Sequence, residues 1–73
     1  MNTTNLMAKQ DDGAKLIMMD GTIWIVNPSE IHIVNSWDPP CGIQIQEENG
    51  GQEYDYQIIN QDENTAVSAK RRR

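Results

Sequence analysis

An Asp-Gly pair, Asp20-Gly21, stands between two apolar runs, at residues 14–19 and 22–26. Asp-Gly in that position is a strong short-range signal for a tight β-hairpin, because both residue types accept the backbone angles that reverse a chain. Two strands alone are marginal in water, so the rest of the chain must supply others. Both runs hold consecutive apolar residues, Leu16-Ile17-Met18-Met19 and Ile23-Trp24-Ile25-Val26, in place of clean alternation. That pattern predicts strands covered in part on both faces.

The following residues extend the pattern. Asn27-Pro28-Ser29-Glu30 breaks it, since Pro28 has no N–H to give a ladder, and one turn of 3₁₀ helix fits there. Ile31-His32-Ile33-Val34 alternates again and predicts a strand with Ile31 and Ile33 on one face. Asp38 and Pro39 each precede a proline, which ends that strand. Residues 42–47 alternate most cleanly, with Ile43 and Ile45 inward and Gln44 and Gln46 outward. Glu48-Asn49-Gly50-Gly51 predicts a second hairpin turn. Residues 54–58 then place Tyr54, Tyr56 and Ile58 inward, and residues 65–69 offer a sixth strand around Val67. Five or six short strands with almost no helical periodicity predict an all-β fold. The expected form is a small antiparallel, partly open barrel, SH3-like or OB-like. A flatter sheet that dimerises through one face is the competing arrangement.

At 73 residues the chain holds one domain. Leu, Ile and Val number 14, and 12 of them fall between residues 14 and 59, so the order is expected in the middle. The reading is a flexible arm at 1–13, a barrel at 14–69 and a basic tail at 70–73. Cys41 is the single cysteine, which excludes an internal disulfide and suits a small core hydrophobe. No apolar run approaches the ~18 residues of a membrane-spanning helix. Residues 1–10 lack the apolar stretch of a signal peptide, which implies a cytoplasmic protein, the alternative being an exported mature form.

The motifs Asp20-Gly21-x-x-Trp24-x-Val26, Val34-x-x-Trp37-x-Pro39, Gly42-Ile43-x-Ile45 and Tyr56-x-Ile58-x-Asn60-x-Asp62 form a set. As a set they resemble a group of small uncharacterised bacterial all-β proteins, over roughly residues 14–69. In that group a leucine often follows the second tryptophan, where this chain has Asp38. The resemblance implies a β fold and, because members are often exported, an envelope location. It carries no catalytic residues with it.

Chemistry is sparse. His32 is the single histidine and with Cys41 cannot make a metal site. The acids fall largely in turns, and no Ser-His-Asp or Cys-His arrangement is readable, so neither an enzyme nor a cofactor is expected. Between residues 14 and 69 one lysine, Lys15, faces nine acids. An acidic barrel repels phosphate, which makes nucleic acid an unfavoured partner. The leading expectation is a non-enzymatic binding module that contacts an unknown protein partner or a second copy of itself. Trp24 is expected in the core and Trp37 partly exposed, so the candidate contact patch is Val34, Trp37, Pro39 and Pro40. Tyr54 and Tyr56 are the alternatives if the sheet is open, and unpaired sheet edges would invite strand addition. The alternative function is single-stranded nucleic-acid binding by the tryptophans with Lys70, Arg71, Arg72 and Arg73 as anion contacts.

Overall fold

The computed structural model describes residues 2–47 and 53–72. Six strands form an antiparallel barrel: β1 (Asn2–Gln10), β2 (Lys15–Met18), β3 (Ile23–Val26), β4 (Cys41–Glu47), β5 (Tyr56–Asn60) and β6 (Thr65–Arg71). Their order is β1-β2-β3-β6-β5-β4, and β4 pairs back onto β1, so the barrel is closed where partial opening was expected. One four-residue helix, α1 (Ile31–Val34), lies between β3 and β4.

The hairpin at Asp20-Gly21 is present, with a loop one residue longer than the tightest form. Met18 N donates to Thr22 O at 2.9 Å and Gly21 N to Met18 O at 3.0 Å, enclosing Met19, Asp20 and Gly21. Only Gly21 takes a positive φ, +90°. Asp20 fixes the loop with its side chain instead, accepting from Thr22 N at 3.0 Å and Thr22 Oγ1 at 2.6 Å.

Residues 2–13, read as most of a flexible arm, are ordered as a strand and a turn. β1 pairs with β4 through residues 2–6 and with β2 through residues 6–10, so one long strand closes the ring on both sides. The turn into β2 is Asp11-Asp12-Gly13, all three in the left-handed region at φ of 54°, 59° and 96°. Aspartate and glycine are among the residues that tolerate that region. At the other terminus β6 continues past Ala69, pairing Lys70 with Ile25 and Arg71 with Trp24. The first half of the supposed tail is therefore strand. Arg73 and the expected turn at 48–51 lie outside the described residues.

Ile31–Val34 is helix, not strand. In four residues the spacing of Ile31, Ile33 and Val34 satisfies either period, and the preceding turn decides. Pro28 opens a 3₁₀ turn, Pro28–Glu30, capped by Asn27 Oδ1, which accepts from Ser29 N at 3.1 Å. The proline's fixed φ suits a helical start, and the turn runs directly into α1. The helix closes one barrel end: Val34 is fully buried, and Ile31 and Ile33 pack on the core. Below it, the core draws Leu6, Leu16, Met18, Trp24, Val26, Ile43, Ile45, Ile58, Val67 and Ala69 from all six strands.

Candidate functional site

Of the candidate contact residues, Val34 and Trp37 are 0% exposed. Trp37 fills the barrel end beside α1, and its Nε1 donates to Thr65 Oγ1 at 2.8 Å. The long-range bond explains the burial, because an indole can be fully enclosed when its N–H has a partner. Truncating a tryptophan so placed costs about 3–5 kcal/mol, a large part of the roughly 5–15 kcal/mol that holds a domain folded. Pro39 is half-buried and Pro40 exposed, so the patch reduces to its prolines. Tyr54 and Tyr56 are half-buried and belong to the opposite end, since Tyr56 pairs with Glu47 and Pro40 precedes Cys41. The structure therefore does not bring the six candidates together.

At that opposite end Trp24 is 3% exposed and meets Tyr56 edge-on, with ring centroids 4.9 Å apart. Its Nε1 donates to Thr22 Oγ1 at 2.9 Å, and Thr22 in turn donates to Asp20. The Thr22 hydroxyl bond holds the Asp20 carboxyl below the usual carboxylate range. A bond to the Glu47 carboxylate pushes the Tyr56 phenol up. With both indoles enclosed, neither tryptophan offers a platform for base stacking. Among the candidate anion contacts, Lys70 Nζ is held by Glu53 Oε2 at 2.9 Å, which raises its pKa, and lies 5.5 Å from the Tyr54 ring centre. Arg71 and Arg72 are exposed, and Arg72 N donates to Ile23 O at 2.8 Å.

The buried polar chemistry is structural. Cys41 Sγ donates to Asp38 O at 3.0 Å, and burial pushes its thiol up, away from the thiolate that a nucleophile requires. The Asn60 amide acts the other way on that thiol through a contact that falls short of a hydrogen bond, its Nδ2 having no partner among the described residues. Asn60 Oδ1 accepts from Asp62 N at 2.9 Å and Glu63 N at 3.1 Å, shaping the β5–β6 turn. Glu30 Oε1 accepts from Ser68 N at 2.6 Å, completing β6 beyond the reach of β3. Among the described residues no group of three or more His, Cys, Asp or Glu is placed to hold a metal ion. No helix among them is long and apolar enough to cross a membrane.

The surface that stands out is the outside of β1, β2 and β3. Leu16, Met18, Trp24 and Val26 point inward, so the residues between them point outward. Ile17 and Ile23 are directly paired there, and Ile25 sits beside them on β3. All three are half-buried, and none belongs to the core cluster or the side chains packed on it. Met7 stands outward at the bulge between Leu6 and Ala8, 53% exposed, and Met19 follows Met18 at 56%. The non-alternating apolar runs foreshadow this face; its fifth member, Met7, lies in the segment read as an arm. The outward side of β4 and β5 is more polar, carrying Gln44, Gln46 and Gln57 with one isoleucine, Ile59, paired with Gln44. Compared with known protein families, curated proteins and solved structures, the chain matches none.

Proposed function

We propose that this chain is a non-enzymatic β-barrel binding module that works by protein–protein contact through the outer face of β1, β2 and β3. The observation that carries the reading is the outward pairing of Ile17 with Ile23, with Ile25 next on β3 and the exposed Met7 and Met19 at the bulge and the hairpin loop that flank them. Isolated exposed apolar residues are ordinary on a surface, whereas a contiguous patch marks an interaction site. Covering it gains about 25 cal/mol per Å² removed from water. The closed ring gives each described strand a neighbour on both sides, so side chains rather than an open sheet edge supply the contact.

The test is gel filtration of a cell extract containing the tagged chain. The 8.3 kDa chain is expected to elute in a larger complex. The double substitution Ile17→Ser with Ile25→Ser should return it to its own size while leaving its circular dichroism unchanged. Elution of the unaltered chain at monomer size would overturn the reading.

A further inference from the structure

We infer that Met7 and Met19 are oxidation sites for a peroxide, and that their conversion to sulfoxides releases the contact proposed above, on which this second step rests. Among the described residues they are the two large apolar side chains left exposed, at 53% and 56%. Both are thioethers, and both adjoin the Leu6–Met18 pair, one following each partner in the chain. The backbone aims them outward. Met7 is the extra residue of the bulge between Leu6 and Ala8, a feature that re-aims a side chain. Met19 opens the hairpin loop, and its N–H donates to Asn5 O at 2.9 Å. Neither packs on the core, whereas the neighbouring Met18 is 0% exposed.

The other sulfurs among the described residues are shielded. Cys41 is 4% exposed and its thiol donates to Asp38 O at 3.0 Å, while oxidation of a cysteine needs an accessible thiolate. A thioether has no proton to lose, so access alone selects Met7 and Met19. In the reaction a sulfur lone pair attacks one peroxide oxygen, an S–O bond forms and the O–O bond breaks. The proton of the transferred hydroxyl passes to the departing hydroxide, which leaves as water. The sulfur gives up two electrons and the peroxide takes them. The sulfoxide is polar where the thioether was apolar, and burying it against a partner without a hydrogen-bond donor is unfavourable. Contacts built on methionine are disrupted in this way. The barrel itself is untouched, because neither side chain belongs to its interior.

The test exposes the purified full chain to hydrogen peroxide, removes the peroxide, and reads oxygen uptake residue by residue from peptide masses. Met7 and Met19 are each expected to gain an oxygen atom ahead of Met18 and Cys41. Equal uptake at Met18, or earlier uptake at Cys41, overturns the site assignment. The tagged chain, oxidised and unoxidised, then enters cell extract for gel filtration. Oxidation should lower the fraction in the larger complex at least about tenfold, with circular dichroism unchanged and with recovery after a methionine sulfoxide reductase. Met7→Leu with Met19→Leu keeps the side chains apolar and removes both sulfurs. That variant should stay in the complex after the same treatment. Its release would trace the effect to another residue and overturn the inferred release. An oxidised chain that stays in the complex also overturns it and leaves the contact function standing. If even the unoxidised chain elutes alone, the contact function fails and the release with it, while the peptide masses still decide the two sites.

Discussion

Gly13 and Gly21 hold positive φ angles of +96° and +90°, yet their surroundings differ. A Cβ at Gly21 would meet nothing within 4 Å. A Cβ at Gly13 would lie 3.2 Å from Asn35 Oδ1 and 3.4 Å from both Ile31 Cγ2 and Val34 Cγ1. Gly21→Ala therefore carries the backbone penalty alone, about 1 kcal/mol. Gly13→Ala carries the same penalty and also lifts α1 from its seat, for a total of about 2–3 kcal/mol. Urea unfolding of the two variants checks this, with the larger fall in midpoint expected at Gly13 and the slope unchanged. Equal midpoints would mean that the helix does not rest on the turn between β1 and β2.

At the scale of elements, the two termini make opposite predictions from those of an arm and a tail. Removing residues 1–10 deletes β1, takes Leu6 from the core and strips β2 and β4 of a neighbour. The remainder is expected to lose its cooperative unfolding transition, seen by circular dichroism and tryptophan fluorescence. An arm could be removed at no cost. What made β1 hard to read is its composition. Asn2-Thr3-Thr4-Asn5 gives no apolar alternation, and the segment contributes mainly backbone hydrogen bonds, to which hydropathy is blind. The clue was Asp12-Gly13, a turn signal of the same kind as Asp20-Gly21, with Leu6-Met7-Ala8 on one side and Leu16-Ile17-Met18 on the other. β4 was legible because its alternation is strict, and the hairpin at Gly21 because its turn chemistry is local. The burial of Trp37 was not, because it depends on Thr65, twenty-eight positions away in the chain. The candidate site shifted for that reason, from a proline-flanked indole to a face hinted at by apolar runs that fail to alternate.

The whole molecule is a ring, and a ring opens differently from a sheet. An open sheet has edge strands that fray at lower free energy than its centre, whereas here β1 and β6 each have two partners, as β4 has. The closing pair joins β1 to β4, segments far apart in the chain, so closure lets each seam lean on the others. Core residues from every strand meet in a single cluster, which leaves no subset of strands with an interior of its own. Freeing one strand thus exposes the common core and leaves two new edges. Native-state hydrogen exchange should then report one opening free energy for amides in β1, β4 and β6, equal to the global unfolding free energy within about 1 kcal/mol. Leu6, Ile43 and Val67 are suitable reporters, one on each of those strands and all inside the core. Exchange at Leu6 that is faster by several kcal/mol would make the first strand an opening flap and the barrel a five-stranded body with a loose closure. Uniform protection would make the ring itself the unit of stability, leaving the exterior of β2 and β3 free to carry apolar side chains that the core does not need.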